Sequence, residues 1–495
     1  MTLFSAVAQL EKRKEADILV VPFWGKNKPK SAASLGSLEN KLRSPLDMKD
    51  FHGKEGEIFF LYLQGEKEKR CVLLGLGEEE KVTCDSLRRA YAALAKYCQK
   101  KSFIHLNVVL PNIVELRRMQ SEECVKGVCE GFLLANYTWH RKTDQEKEEE
   151  TTLLKQITLV GILPKIQPFL ERQELIAESV YFARDLINEN ADMVTPAHLA
   201  QTAQKISERF PSIKTTIFDK KRLEKDGFGL ILAVGRGSSN DPVLIQMKYE
   251  GHPKSKDHTV LVGKGVTFDT GGLNLKPTGF METMRSDMSG AAAVMGAVIA
   301  SAALGLKVNV TAVVPSVENA IDGNSFKPGD SYPSYSGKTV EIGNTDAEGR
   351  LILADALTYS CLHLSPTRII DLATLTGAIV VALGDDVAGM MTNQDVLCAK
   401  LLEASESSGE QLWRMPLYKP YKQLLKSDSA DLKNIGGKAA GAITAALFLQ
   451  EFVGEVPWAH LDIAGPAFGS KEHDYHPKNG VGFGVRLLVD FLQKL

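Results

Sequence analysis

Two short stretches of this 495-residue chain place charged side chains on loops beside apolar elements. In the first stretch, residues 344–351, the charged side chains of Asp346, Glu348 and Arg350 are spaced two apart. Side chains with that spacing in an extended loop point to the same side. The sequence therefore predicts an acidic surface with a fixed cation beside it, although an ordinary solvated turn would have the same composition.

The second stretch lies upstream and carries Lys264, Asp269, Lys276 and Asp287 among glycine-rich turns. Lys264 follows an apolar run at the end of a predicted buried strand, where α/β folds place their functional groups. Asp269 precedes a Thr-Gly-Gly turn, which can bring backbone close to a ligand. Asp287 precedes a helix-like run of small residues, and taken alone it is better explained as a helix cap.

Carboxylates crowded together in an apolar setting repel one another unless a cation lies between them. Two divalent ions about 3.5 Å apart would supply that charge and also suit hydrolysis, because both can bind the attacking water. Oxygen ligands without a histidine in the segment favour zinc, manganese or magnesium over copper. A lysine binds a metal only as the neutral amine. Burial and neighbouring cations lower a lysine pKa, so one lysine could be a ligand while the other stays charged.

The order Asn-Thr-Asp-Ala-Glu-Gly-Arg-Leu at residues 344–351 resembles the signature of the leucyl (cytosol) aminopeptidases, the M17 metallopeptidases. The upstream charged stretch is similar to the metal-binding block of that family. The resemblance covers the C-terminal two thirds of the chain and is weak before about residue 175. It continues through further blocks at residues 234–242, 371–377, 413–417 and 460–465.

The resemblance implies two divalent metal ions, Mn²⁺ or Zn²⁺, in neighbouring sites. One ion would be bound by Lys264, Asp269, Asp287 and Glu348. The other would be bound by Asp269, Asp346 and Glu348, so that Asp269 and Glu348 bridge the two ions.

The resemblance also implies catalytic roles for two cations. Lys276 would polarise the scissile carbonyl, and Arg350 would bind a bicarbonate ion that acts as general base toward the attacking water. A positive group aimed at a developing oxyanion is usually the largest single catalytic contribution. Backbone groups at Thr374, Leu375 and Gly377 would bind the peptide in extended form, although an ordinary strand-to-helix turn is the alternative for that segment.

The implied activity is removal of N-terminal residues, leucine-like ones preferred, from short peptides. The resemblance further implies a homohexamer with active sites that face an interior cavity. Two alternatives are a DNA-binding regulator, an additional role of some bacterial members, and an inactive scaffold. The net charge of −2 gives no electrostatic support for nucleic-acid binding. A scaffold would keep a costly set of buried like charges without a metal to balance them.

The composition, 44% hydrophobic and 24% charged, is that of a globular chain whose length favours several domains. Strand-like and helix-like runs alternate from residue 14 to 160, which predicts an α/β domain over residues 1–170. In the family this domain resembles macro domains, and we assign it a role in assembly. An apolar stripe at spacings of four, three and four predicts a linker helix over residues 171–190.

Residues 191–495 form the predicted catalytic domain, an α/β/α layer with a mixed or parallel central sheet and helices on both faces. Neither a dinucleotide fingerprint nor a phosphate-binding loop is complete in its glycine-rich segments. Six apolar runs are interpreted as buried strands: residues 229–234, 244–249, 258–262, 307–314, 367–372 and 457–462.

The N-terminus lacks the apolar core of a signal peptide, and we expect no run near the roughly 18 apolar residues of a membrane span. Seven scattered cysteines without a CxxC pair suit reduced thiols in a cytoplasm. Residues 25–31 and 141–150 are predicted to be solvated loops. His460 is interpreted as a core histidine, and His473 and His476 as solvated.

Overall fold

The chain folds into two compact units in the computed structural model. One unit comprises Met1–Glu178 with Lys471–Pro477, and the other comprises Ser179–Ser470 with Lys478–Leu495. The helix predicted over residues 171–190 is longer at its start and spans Gln167–Asn188. The structure describes residues 3–25, 28–29, 33–112, 119–139 and 152–495.

The predicted loop at residues 141–150 lies outside the described residues. So does most of the predicted loop at residues 25–31, of which Lys28–Pro29 forms a short strand. His473 and His476 were expected to be solvated, but both are partly buried and pair with each other through their backbones.

The N-terminal unit is a mixed sheet with helices, as the alternation in the sequence predicts. Its strands are β1 (Leu3–Val7), β2 (Ile18–Trp24), β3 (Lys28–Pro29), β4 (Ile58–Tyr62), β5 (Arg70–Gly75), β6 (His105–Val109) and β7 (Gln156–Val160). Its helices are α1 (Leu38–Lys41), α2 (Arg43–Asp47), α3 (Cys84–Lys100), α4 (Ser121–Ala135) and the start of α5 (Gln167–Asn188).

The strand order in this sheet is β1-β7-β6-β2-β5-β4, with β3 beside β2. Every residue of β2 is buried, as expected for a strand with both faces covered. Helix α3 begins with a capping box in which the side chains of Thr83 and Ser86 accept from each other's backbone N–H.

The second unit carries the charged stretches and is built on a larger mixed sheet. Its helices are α6 (Pro196–Arg209), α7 (Lys220–Asp226), α8 (Gly229–Gly235), α9 (Ser289–Ala303), α10 (Gly349–His363), α11 (Gly377–Leu383), α12 (Asp395–Ser408), α13 (Gly441–Gln450) and α14 (Val485–Gln493). Its strands are β8 (Ile213–Phe218), β9 (Val243–Glu250), β10 (Thr259–Gly263), β11 (Gly265–Asp269), β12 (Asn309–Asn319), β13 (Ser331–Pro333), β14 (Thr339–Glu341), β15 (Arg368–Ala373), β16 (Ala388–Thr392), β17 (Leu412–Arg414), β18 (Leu432–Lys433), β19 (Trp458–Asp462), β20 (Phe468–Gly469) and β21 (Asn479–Gly480).

The central sheet has the order β17-β16-β19-β15-β10-β12-β9-β8, with β11 beside β12. Strands β19, β15, β10 and β12 are parallel to one another, whereas β9 and β16 run antiparallel to their neighbours β12 and β19. The mixed central sheet predicted from the sequence is therefore confirmed. Parallel strands end at one edge, so the loops that follow β10, β15 and β19 meet there.

The predicted strand at residues 229–234 is wrong, because this run forms helix α8. A short, fully buried apolar run has the same composition in either structure, and periodicity cannot distinguish them. Tertiary contacts decide the outcome, since the N-terminal N–H groups of α8 at Leu230 and Ile231 donate to the buried carboxylate of Asp355.

Helix α9 and the turn before it form an apolar run that is longer than expected, since no run near the length of a membrane span was predicted. Within the described residues, Met284–Ala303 is the helical segment that is long and apolar enough to cross a membrane. Because 89% of its 18-residue window is buried in the protein, the run is weak evidence for a membrane span and is what the core helix of a folded domain also shows. All seven cysteines lie in the described residues and are free thiols.

Asp355 provides a test of the packing around α8. Its carboxylate is fully buried and accepts from three backbone N–H groups, those of Leu230, Ile231 and Tyr335. The amide of Asp355→Asn would turn a donor toward at least one of these N–H groups. We expect this variant to lower the free energy of unfolding by about 1–3 kcal/mol, measured by urea denaturation.

The difference in the free energy of unfolding between the wild type and Asp355→Asn should depend on pH. Burial raises the pKa of Asp355 from 3.8 to about 7, despite the N–H groups that lower it. The folded protein therefore binds this proton more tightly than the unfolded chain does, and the resulting stability is lost as the pH rises from about 4 to about 7. The wild-type advantage over the asparagine variant should therefore shrink between about pH 4 and about pH 7. A deficit that stays constant or grows with pH would contradict this account.

Candidate active site and metal centre

The charged side chains of both stretches come together at the carboxyl edge of the central sheet. Lys264 directly follows β10, and Asp269 is the last residue of β11. Asp287 lies in a 3₁₀ turn, Met284–Met288, and does not cap α9, since that helix has no side-chain cap. The explanation of Asp287 as a helix cap is therefore wrong.

The extended loop predicted around Asp346, Glu348 and Arg350 is also wrong. Glu348 has helical backbone angles, φ −78° and ψ −36°, and Arg350 lies in the first turn of α10. The alternation of charged and small residues does not set their directions here, because the helix begins inside the charged stretch. Asp346 and Glu348 nevertheless lie close to each other and to Asp269 of the upstream stretch.

Lys264 lies between two buried carboxylates. Its Nζ is 2.8 Å from Asp287 Oδ1 and 2.9 Å from Glu348 Oε1, and no more than 5% of any of the three side chains is exposed. A Cβ at Gly349 would come within 2.5 Å of the lysine Cε. Glycine at that position therefore leaves the space that the lysine side chain needs to reach Glu348.

Lys276 forms the second bridge of the same kind. Its Nζ is 2.8 Å from Asp269 Oδ2 and 2.6 Å from Asp346 Oδ1. Asp269 is 3% exposed, whereas Asp346 is 33% exposed and forms the open side of the site. Gly271 has φ +85°, and a Cβ there would lie 2.8 Å from Asp346 Oδ1, so this turn requires glycine.

Three of the carboxylates form a compact set of oxygen ligands. One oxygen each from Asp269, Asp346 and Glu348 lies within 4.8 Å of the others. Asp287 is outside this group and is connected to it through Lys264, which pairs with both Asp287 and Glu348. Hard divalent cations take ligands of this kind.

Several carboxylate oxygens of the cluster are suited to a cation. Asp287 Oδ2 is buried and has no hydrogen-bond partner among the described residues. Asp346 Oδ1 and Glu348 Oε1 are within ion-pair distance of a lysine, but neither makes a hydrogen bond of good geometry. A buried carboxylate oxygen without a partner is costly, so the donor set suits positive ions between these side chains.

Burial and mutual repulsion raise the pKa values of Asp269, Asp287 and Asp346. Burial is the largest cause for Asp269, followed by the charge of Glu348. Burial also raises the pKa of Asp287 well above its usual range and raises that of Asp346. The ionised cluster is therefore unfavourable with protein groups alone, and added positive charge would stabilise it.

The pKa values of the two lysines are raised, although burial alone was expected to lower them. Burial does lower the pKa of Lys264, but Asp287, Glu348 and Asp269 raise it by more, so the net direction is upward. The pKa of Lys276 is raised in the same way. A divalent cation reverses this local balance. Lys264 would become a neutral ligand only as a cation displaces its proton.

Arg350 is buried beside the cluster and retains a spare donor. Its Nη1 donates to the backbone oxygen of Asn434 at 2.8 Å, whereas its Nε is buried and has no hydrogen-bond partner among the described residues. Burial lowers its pKa to about 10, which leaves the guanidinium charged at neutral pH. A buried cation with a free N–H suits a small anion such as bicarbonate.

Thr374, in the segment after β15, is fastened to the cluster. Its Oγ1 donates to Asp287 Oδ1 at 2.7 Å, and its carbonyl oxygen accepts from Lys264 Nζ at 2.9 Å. The N–H of the next residue, Leu375, donates to Asp462 outside the cluster. Gly377 is exposed and begins α11.

Several residues that the sequence analysis did not single out orient these side chains. Asn319 Nδ2 donates to Asp269 Oδ1 at 2.8 Å and to Thr345 O at 3.1 Å. Thr345 Oγ1 donates to Gly271 O at 2.6 Å and thereby joins the two charged stretches. Asp462 accepts from the loop after β15. Their positions in the sequence could have identified these residues, because each lies at the end of a strand or inside a block that resembles the family.

His460 is a core histidine, as predicted, but only one of its nitrogens is paired. It is fully buried, and its Nδ1 is 2.6 Å from Asp371 Oδ1. The other oxygen of Asp371 accepts from Trp458 Nε1 at 2.7 Å. His460 Nε2 has no hydrogen-bond partner among the described residues.

Comparison with known families agrees with this geometry. The catalytic domain of the cytosol aminopeptidase family matches residues 181–489, and the N-terminal domain of that family matches residues 20–145. The chain belongs to the cytosol aminopeptidase family. It is a metal-dependent aminopeptidase, a hydrolase that acts on peptides.

Two curated relatives match over nearly their full lengths. The probable cytosol aminopeptidase of Protochlamydia amoebophila is 52% identical over 99% of this chain and 99% of its own. The probable cytosol aminopeptidase of Chlamydia abortus is 50% identical over 100% of this chain and 99% of its own.

Two solved structures are similar in fold to this chain. A mutant of tomato leucine aminopeptidase matches with a TM-score of 0.87 and 33% identity, over 100% of this chain and 97% of its own. A bottromycin maturation enzyme in complex with Mn matches with a TM-score of 0.84 and 31% identity, over 97% of this chain and 99% of its own.

Asp462 offers a test of the loop after β15 in this aminopeptidase. It is fully buried and accepts from Leu375 N, Thr376 Oγ1 and Ala464 N. Asp462→Ala would leave these donors unpaired, and we expect a raised KM for leucine amide substrates together with a lower melting temperature. Asp462→Asn keeps one acceptor and should be milder. Kinetics of both variants check this, and equal KM values in the wild type and both variants would show that the loop does not contact substrate.

Proposed function

We propose that this aminopeptidase releases N-terminal residues, with leucine-like residues preferred, by means of a water activated by two divalent ions. The observation that carries the proposal is the pairing of every cluster carboxylate with a lysine. Lys264 joins Asp287 to Glu348, and Lys276 joins Asp269 to Asp346. Four carboxylates and two ammonium groups leave two excess negative charges when all are ionised, and the excess grows to three when Lys264 loses its proton, so added divalent ions are favoured.

The ligand sets follow from the family resemblance and fit the geometry. One ion would be bound by Lys264, Asp269, Asp287 and Glu348, and the other by Asp269, Asp346 and Glu348, the three residues with oxygens in close range. When bound, the ions would neutralise the carboxylates and activate the attacking water. Mn²⁺ or Zn²⁺ are the ions we propose. Manganese is the metal named for one solved relative.

Two cations of the chain would act on the reacting groups. The side chain of Lys276 is 14% exposed and has carboxylates on two sides, so its ammonium is held in one place and would donate to the carbonyl oxygen as negative charge develops there. Arg350 would bind bicarbonate through its unpaired Nε, and that anion would take the proton of the attacking water. Thr374, Leu375 and Gly377 would line the path of the peptide.

The assembly and location of the enzyme are further parts of this proposal. The family resemblance supports a homohexamer that acts on short peptides in the cytoplasm, the compartment in the names of the relatives. We propose domain limits at residues 1–170, 171–190 and 191–495, with an assembly role for the first domain. Peptides are the proposed partners, and the net charge of −2 gives no electrostatic support for nucleic acid as a further one.

Removal of metal should abolish the reaction. We expect a chelator to eliminate hydrolysis of leucine amide, because the carboxylate cluster alone has no group that activates water. Adding Mn²⁺ or Zn²⁺ back should restore the rate, and metal analysis of the restored protein should approach two ions per subunit. Full activity of a protein from which metal analysis shows complete removal would overturn the proposal.

Lys276 should act mainly in the transition state. We expect Lys276→Ala to lower kcat by about 100-fold or more, because one oxyanion donor is typically worth about 10²–10³ in kcat. Its KM should change far less. Lys220→Ala is the matched control, since Lys220 pairs with Asp241 at the surface, 46% exposed. A raised KM with normal kcat would show that Lys276 only binds substrate.

A further inference from the structure

The loop that carries Asp346, Glu348 and Arg350 has a partner elsewhere in the chain. Asn434 is fully buried and directly follows β18, the strand that pairs in parallel with β14. It belongs to neither charged stretch, and it touches neither Asp346 nor Glu348 through its side chain. Its side chain instead bonds the backbone of residues 343–347.

The side-chain amide of Asn434 is fully used on this loop. Its Oδ1 accepts from Gly343 N at 2.8 Å and from Asn344 N at 3.3 Å. Its Nδ2 donates to Asn344 O at 2.7 Å and to Ala347 O at 3.3 Å. An amide offers two acceptor and two donor positions, and all four are spent on residues 343–347.

The backbone of Asn434 extends the same connection in both directions. Its N–H donates to Glu341 O at 3.0 Å, at the end of β14. Its carbonyl accepts from Arg350 Nη1 at 2.8 Å, at the start of α10. One residue therefore contacts the loop before, within and after the positions of Asp346 and Glu348.

We infer that Asn434 is a positioning residue, which sets the backbone from which Asp346 and Glu348 reach the metal ions and from which Arg350 reaches its anion. This inference rests on the proposed two-metal function. A neutral amide suits this role, because it orients the loop backbone through hydrogen bonds and adds no charge to a site that already has excess negative charge. Partners that orient metal ligands are typically worth about 10–100-fold in affinity or activity.

Asn309 supplies a matched control. Its side-chain amide also makes four hydrogen bonds to one backbone loop: Nδ2 donates to His252 O, Ser255 O and Asp257 O, and Oδ1 accepts from His252 N. Asn309 begins β12, whereas the site lies beyond Asn319 at the other end of that strand. Loss of either amide should destabilise the fold, but only Asn434 should affect the metal centre.

The test compares Asn434→Ala, Asn434→Asp and Asn309→Ala in the full-length protein. Titration calorimetry with Mn²⁺, after removal of metal, measures affinity; leucine amide hydrolysis gives kcat and KM. We expect both Asn434 variants to lose about 10–100-fold in Mn²⁺ affinity and in kcat with little change in KM, and Asn309→Ala to lower only the melting temperature. Asn434→Asp is isosteric and keeps the acceptor atoms, so it remains informative if the alanine variant does not fold.

Three results would overturn the inference. If the Asn434 variants match Asn309→Ala in Mn²⁺ affinity and kcat, Asn434 has only a structural role while the proposed function stands. If their KM rises with unchanged kcat, the loop binds substrate and does not position the metal ligands. If the wild-type protein itself does not bind Mn²⁺ or Zn²⁺, the proposed two-metal function fails and this inference fails with it.

Discussion

The crowding of four carboxylates into one pocket is the constraint on which the rest of this structure depends. Asp269, Asp287 and Glu348 are almost inaccessible to water, and the half-buried Asp346 lies at the open side. Each such group is costly unless positive charge lies close by. Two lysines provide part of that charge by bridging the carboxylates in pairs, and the remaining negative charge makes this pocket suitable for divalent ions.

The pocket also limits which residues can surround it. Glycine is required at residue 349, where any side chain would meet Lys264, and at residue 271, where it would meet Asp346. The groups that orient the carboxylates are the amides of Asn319 and Asn434 and the hydroxyl of Thr345, all uncharged. Such groups orient their neighbours through hydrogen bonds without adding charge, which suits a site that already has excess negative charge. Asp462 is an exception, and it points instead at the loop after β15.

Much of the fold was predictable because local sequence and tertiary environment agree there. Strands β9, β10, β15 and β19 overlap the apolar runs at residues 244–249, 258–262, 367–372 and 457–462 that predict them. The strand prediction for residues 229–234 was wrong because a short, fully buried run has no polar face from which its periodicity could be recognised. The prediction of an extended charged loop was wrong for a different reason. Helix α10 begins at Gly349, inside the charged stretch, so charged residues spaced two apart do not point to the same side.

The sequence by itself determined the residue types of the site, the family resemblance and the chemistry that these residues can perform, because acidic groups beside lysines on glycine-rich turns suit few other purposes. Only the tertiary structure decided which lysine bridges which carboxylates, that Asp287 is not a helix cap, and that Asn434 contacts the loop of Asp346 and Glu348 from far along the chain. The physical reason is that pairing depends on distance through space. Lys264 and Glu348 are 2.9 Å apart although they are remote in sequence, and no local pattern encodes that separation.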